Sequence, residues 1–331
     1  MEPILMRHRP YDATNNEYSL PTHSIRLVTR QDQGVDYPVT FHMVTDEKSI
    51  NYVPGFADVD AVEACVKPYG GELLRLFWKM VHPWYPILYK EGFMMKYATS
   101  YRCIEAPLLG AVYLIATNWW FYDSHLSNQP MIDVATLRRI THQSIQTSYH
   151  RPRLYSIEAI LLCLQCTPEN PLNPDHTFAW GLTAQALSIG EALGLHLDAS
   201  AWAIPRWEQC LRKRLSWALY MQDIWTALAH GRPIHISEDD WAVTDLTYDD
   251  FDTDGSTHPG SQYLHMTSLT KILYKVLKQF YTLKSTTMQD TGELSSMARP
   301  ILEALDSWYA ALPSSLKMEN LPPRQLCANG K

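Results

Sequence analysis

Between Ile204 and Ala229, residues recur at steps of three and four: Ile204, Trp207, Leu211, Leu215, Ala218, Gln222, Trp225 and Ala229. Only Gln222 among them is polar. That spacing is one face of an α-helix. Pro205 suits its first turn, where a missing N–H leaves no hydrogen bond unmade. Gly231, with Pro233 just beyond, gives a stop, and His230 falls in the last turn, where positive charge is favoured. A helix this long is the element around which the rest of the chain has to be arranged.

Other segments repeat the helical period. Leu73, Leu76, Phe77 and Met80 make a stripe that stops before Pro83. Pro83 and Pro86 bracket a short extended link, because a residue before proline avoids the helical region. Gly70-Gly71 ends a short apolar segment that starts at Val53. Glu91 to Tyr101 reads as a helix, and Pro107 opens another with Leu108, Ala111, Val112, Ile115, Trp119 and Tyr122 inward. Asp133 suits the N-cap of a helix through His150, Ser156 that of the next, and Asp175 that of a third reaching Leu193. Beyond the long helix, about Ile234 to Ser261 reads as a polar loop. Leu269, Leu273, Val276, Phe280 and Leu283 then mark one helix, and Leu294, Met297, Ile301, Leu305, Trp308 and Leu312 another, with Pro300 kinking or starting it. Before Asn51, brief alternation at Ile25–Thr29 and Val39–Val44 fits either a hairpin or a disordered lead-in.

The expected fold class is therefore all-α: a multi-helix, bundle-like body of eight or nine helices packed helix on helix. Its expected divisions are a poorly defined lead-in over 1–51, the helical domain over 52–312 and an unstructured tail over 313–331.

Net charge is −7, the wrong sign for a surface that neutralises phosphates. Eleven Trp and nineteen Tyr argue for a packed core. The cysteines, Cys65, Cys103, Cys163, Cys166, Cys210 and Cys327, form no dense framework, which predicts a reducing compartment. The start, MEPILMRHRPYD, has no apolar run of signal-peptide length. The most apolar segment, Leu108 to Phe121, is broken by Asn118 and is too short to span a bilayer, so no membrane partner is expected.

Two sets of phrases carry a resemblance. One is His82-Pro83-Trp84-Tyr85-Pro86-Ile87-Leu88, flanked by Phe77 and Phe93. The other joins Ala192-Leu193-Gly194-Leu195-His196-Leu197-Asp198, Trp217-Ala218-Leu219-Tyr220-Met221-Gln222-Asp223 and His230-Gly231-Arg232-Pro233. In this order and spacing, from about Gly71 to Phe251, they resemble the regulatory (middle homology) region of fungal binuclear zinc cluster transcription factors. The motif positions are His82, Pro83, Tyr85, Pro86, Gly194, Leu195, His196, Trp217, Tyr220, Asp223, His230, Gly231, Arg232 and Pro233. The resemblance implies transcription regulation, a place in the nucleus, protein partners (the transcription machinery or a related factor) and response to a small effector. The family's DNA-binding head needs six cysteines in two close groups, each starting C-x-x-C. The cysteines here are dispersed, so the expectation is a chain without that head. Zinc belongs to full-length relatives, no cofactor is expected in this chain, and DNA is reached only indirectly.

Candidate chemistry is sparse. Cys163-Leu164-Gln165-Cys166 lies in an apolar helix with no second C-x-x-C, which fits two small buried side chains better than a redox pair or half a zinc site. Asp250, Asp252, Asp254 and Gly255 match the first half of a calcium loop. Position twelve is Ser261, where a bidentate acid is required, so an acidic, solvated loop is expected. The same run lacks the last acid of a D-D-x-x-D magnesium motif. His82, His196, His230 and His235 form no H-E-x-x-H and read as packed, capping or solvated. Arg206, Arg212, Lys213 and Arg214 read as a solvated or partner-facing helix side, with DNA contact the lesser reading. Trp202, Trp207, Trp217, Trp225 and Trp241 suit a core or a cavity wall. No catalytic residue is nominated and the chain is not expected to be an enzyme. The competing reading is an all-α small-molecule-binding protein or enzyme unrelated to transcription, which a catalytic constellation in a deep pocket would favour.

Overall fold

A computed structural model describes residues 11–317, apart from 13, 15, 30–38, 50, 51, 53, 54, 171, 173, 252–259 and 286–289. Its ten α-helices make the chain mostly all-α. They are α1 (Ala57–Val66), α2 (Gly70–Leu76), α3 (Lys90–Thr99), α4 (Ala106–Ala116), α5 (Val134–Ser148), α6 (Leu154–Leu164), α7 (His176–Ala192), α8 (Arg206–His230), α9 (Ser261–Phe280) and α10 (Thr291–Ala311). Wide π-turns carry α2 on through Phe77–Val81.

The caps follow elementary hydrogen bonding. Asp133 accepts the Thr136 N–H at 3.0 Å and Asp175 the Phe178 N–H at 2.8 Å, each filling a donor that the first helical turn leaves open. Ser156 is not the cap expected from sequence. It sits inside the first turn of α6, and its hydroxyl accepts the Arg153 N–H at 3.4 Å. Gly70 likewise starts α2 rather than ending the segment before it. Pro300 lies within α10.

Two helices form the centre. All eleven residues of α4 are buried, as an element apolar all round must be, and α1, α2, α5 and α6 cover it. α8 lies against α6, α7 and α9, with α10 packed outside α9. The stripe foreseen for α8 holds in its middle, where Leu211, Leu215 and Ala218 are buried, and fails at its ends, where Trp207 and Trp225 are exposed. Trp217, Leu219, Tyr220, Met221 and Ile224 are buried too, so the helix is wrapped rather than one-sided. The wrapping comes from the stretch after α8. It reads as a solvated loop, yet it buries Ile236, Leu246, Asp250 and Phe251. Asp252, Asp254 and Gly255 lie outside the described residues.

The first residues form more than a hairpin: a four-stranded antiparallel sheet in chain order, β1 (Tyr11–Asp12), β2 (Glu17–Ser19), β3 (Ser24–Leu27) and β4 (Thr40–Met43). Ile25 pairs with His42 and Leu27 with Thr40. The sheet docks through Trp202, which bridges to Thr29, and the Ala203 N–H donates to the Val28 carbonyl at 2.7 Å. Phe41 meets the Trp202 ring edge-on at 5.4 Å.

Candidate functional site

The motif positions gather along α8 and the link before α3. Arg214, fully buried, donates to the Leu88 carbonyl at 3.3 Å and to the Asp250 carbonyl at 3.2 Å. Tyr263 donates to the Arg214 carbonyl at 2.8 Å, and the Tyr85 ring packs 6.1 Å from Tyr263. A His82 ring nitrogen also lies 3.3 Å from the Leu88 carbonyl. The two prolines, His82 and Arg214 thus fix the extended Leu88–Tyr89 segment against the long helix. Further along α8, Trp217 donates to the Thr244 carbonyl at 3.0 Å and Tyr220 to Glu238 at 3.1 Å. Buried Asp223 accepts the backbone N–H groups of His235 and Ile236 at 2.8 and 2.9 Å, and lies 2.7 Å from His235 Nδ1. Each of these contacts staples the segment after α8 back onto it.

The remaining motif residues shape turns. Gly231 closes α8 at φ +60°. The His230 ring meets His176 at a tilt, 4.5 Å between centroids, while Arg232 and Pro233 face solvent. Gly194 adopts φ +73° with the Trp202 and Phe41 rings close to where a Cβ would stand. The Leu195 N–H donates to the Gly190 carbonyl at 2.8 Å, and the His196 carbonyl accepts the Ala242 N–H at 2.9 Å.

Beside this framework lies a cleft of about 840 Å³. Its walls come from the starts of α1, α4, α6 and α8, from the end of α5, and from α3 with the Leu88–Tyr89 segment. Tyr89 stacks on Trp207 at 4.8 Å to make an aromatic side, and Phe93 and Tyr155 extend it. The rim is charged, and two of its guanidiniums are paired with acids while Arg151 is not. Arg153 meets Asp46 at 3.1 Å, Arg102 grips Asp60 with two bonds of 2.8 Å, and Arg151 sits over the Tyr52 ring at 5.0 Å.

Glu158 stands deeper, only 6% exposed, with no hydrogen-bond partner among the described residues. Burial first, and the nearby Glu105 second, push its carboxyl up to about 8. The positive charges facing it are Arg214, occupied by two carbonyls, and Lys96 on exposed α3.

None of the fourteen motif positions lines the cleft. Of them, His82 contacts a wall residue, Leu88, and Trp217, Tyr220 and Asp223 brace the segment after α8. The signal in the sequence was a single acid inside the apolar run Ser156-Ile157-Glu158-Ala159-Ile160-Leu161, since an unpaired Glu is almost never buried without a reason.

The basic run on α8 divides: Arg206 is solvated as expected, while Arg212 and Lys213 are largely covered and Arg214 is fully buried. Besides Arg214, Arg212 bonds Glu208 at 2.9 Å and the Leu193 carbonyl at 2.9 Å, and Lys213 bonds buried Asp250 at 2.9 Å. His235 pairs with Asp223. The thiols of Cys163 and Cys166 lie in and just after α6, where burial pushes Cys163 well up and Cys166 up to about 12. Both therefore stay protonated at neutral pH, and only thiolates bind metal or attack. Cys65 on α1, Cys103 before α4 and Cys210 on α8 stand on other elements, so these residues do not fit a zinc cluster. Among the described residues, no three His, Cys, Asp or Glu side chains gather as a metal site, and no helix is long and apolar enough to cross a membrane.

Comparison with known proteins agrees with the framework. A profile described as the fungal specific transcription factor domain matches residues 74–310. The transcriptional activator protein DAL81 of Saccharomyces cerevisiae is 30% identical over 98% of this chain and 37% of its own length. The cutinase transcription factor 1 alpha of Fusarium vanettenii is 28% identical over 65% of the chain and 24% of its own. An acetamidase regulatory protein of Aspergillus oryzae is 24% identical over 78% and 33%. The chain thus spans about a third of the length of these relatives, which are transcription regulators rather than enzymes. No solved structure matches it. Profile and relatives agree that the chain belongs to the family of fungal-specific transcription factor domains.

Proposed function

We propose that this chain is a nuclear regulatory module that governs transcription through contacts with a small effector and with proteins, not through its own reading of DNA sequence. The observation that carries this is the cleft. Its walls are held by the same His82, Arg214 and proline contacts that anchor α8, so a molecule bound between them bears on the central helix. Clefts of this size with aromatic sides and a few polar groups suit small molecules. The covered part of the basic run adds support, because side chains tied to Glu208, Asp250 and backbone carbonyls are not free for phosphates. Partners such as the transcription machinery or a related factor would meet the outer helices.

Tethering tests the reading. The 331-residue chain is fused to an unrelated DNA-binding domain and assayed on a reporter carrying that domain's sites. Output is expected to differ several-fold from that of the domain alone. Equal output would count against a regulatory role.

A further inference from the structure

We infer that the cleft takes a small organic cation, an amine with an apolar body, its ammonium placed against Glu158 and Glu105 and its body against Tyr89, Trp207, Phe93 and Tyr155. This rests on reading the cleft as an effector site and adds the chemistry of the effector.

The argument begins with Glu158. A glutamate only 6% exposed, lining a cleft and accepting no hydrogen bond among the described residues, is costly to keep ionised unless something in the cleft uses it. Apolar packing alone would be served by Leu or Met at this position. Its neighbour Glu105 lines the same cleft and opposes its ionisation. Two acids facing one space repel each other, and a cation between them removes that repulsion.

The charges around the space select the same ligand sign. An anion would need a free cation inside. The rim guanidiniums of Arg153 and Arg102 are already on Asp46 and Asp60, and Arg151 lies over Tyr52. Arg214 donates to the carbonyls of Leu88 and Asp250. Lys96 lines the cleft as well, but it stands exposed on α3, where solvent screens its charge. The deep carboxyls are thus left without a hydrogen-bonded cation. The aromatic side completes the fit, since ring faces attract ammonium groups and bury alkyl or aryl bodies.

Charge also sets the proton balance. At neutral pH Glu158 is largely protonated, and the groups facing it are Glu105, Arg214 and Lys96. An incoming ammonium stabilises the carboxylate, so binding expels the proton to solvent. Amine affinity should therefore rise as pH goes from about 6.5 to about 8.

The test is isothermal titration of the full chain with three probes of one shape: 2-phenylethylamine, the neutral 2-phenylethanol and the anion phenylacetate. Expected is amine binding about tenfold or more tighter than alcohol, with anion weakest. Heats should vary with the buffer's ionisation enthalpy as proton release requires. Glu158→Gln should erase the amine preference and the proton release while keeping alcohol binding and a cooperative melt, which separates lost charge from lost fold. No amine binding, alcohol bound as tightly as amine, a preference for the anion, or an unchanged preference in Glu158→Gln would overturn the inference. Amine binding that leaves tethered reporter output unmoved would instead overturn the effector reading and leave the cleft's chemistry standing.

Discussion

At the scale of the residue, three of the buried charged side chains, Arg214, Asp223 and Glu158, stand in different situations. Arg214 and Asp223 are fully buried and hydrogen-bonded. Removing one strands its partners in a dry interior. Arg214→Ala should cost roughly 3–5 kcal/mol of stability in urea unfolding, because it leaves the buried Asp250 carbonyl without its donor, removes one from the Leu88 carbonyl and takes away a positive charge that acts on Glu158. Glu158 behaves oppositely. Its folded carboxyl is raised to about 8 from an ordinary 4.5, so between those values the folded state holds more protons than the unfolded one. Stability therefore falls as pH rises through that window. Glu158→Gln abolishes the titration, so its melting temperature should gain on the wild type as pH goes from about 5 to about 8, by an amount equivalent to roughly 2–4 kcal/mol. A difference that stays flat with pH would mean that Glu158 is ionised in the folded state.

At the scale of the element, local chemistry was largely readable. Asp133 and Asp175 cap helices because short acids before an apolar period satisfy open N–H groups. Gly231 ends α8 because only glycine enters the left-handed region cheaply. The two motif glycines allow a graded test. Gly231→Ala places a methyl in open space and should cost only the backbone strain, roughly 1 kcal/mol. Gly194→Ala adds a Cβ 2.8 Å from Trp202 and 2.9 Å from Phe41, so it should lose clearly more in the same thermal melts and loosen the docking of the sheet. What periodicity missed is which neighbours cover an element. The α8 stripe included Trp207 and Trp225, both exposed, and omitted Trp217 and Tyr220, both buried. The stretch from Ile234 to Phe251 covers a second side of the helix, through Trp217 and Tyr220. Period 3.6 describes one covering surface, and α8 has more than one. Ser156 was a good cap by type, but the helix begins earlier, at Leu154. The cleft escaped sequence reading for a related reason. Glu158, Glu105, Tyr89 and Trp207 come from distant stretches, and nothing local marks their convergence.

At the scale of the whole molecule, the contacts of α8 form a framework, and the cleft lies beside it. The net charge of −7 and the covered part of the basic run predict that the purified chain shows no sequence preference for DNA. In fluorescence anisotropy at about 0.15 M salt, selected and scrambled duplexes should bind within about tenfold of each other. Enrichment of one motif bound about a hundredfold more tightly than scrambled DNA would contradict this. The central claim is that occupancy of the cleft sets regulatory output, and filling the cleft tests it most directly. Thr147, exposed on the last turn of α5 and lining the cleft, is replaced by Trp, and Glu303 on the outer face of α10 receives the same change as a control. Reporter output of the tethered chain is then measured at matched protein level and melting temperature. The account predicts that Thr147→Trp shifts output several-fold while Glu303→Trp leaves it at the wild-type value; equal output from the wild type and the filled cleft would contradict it.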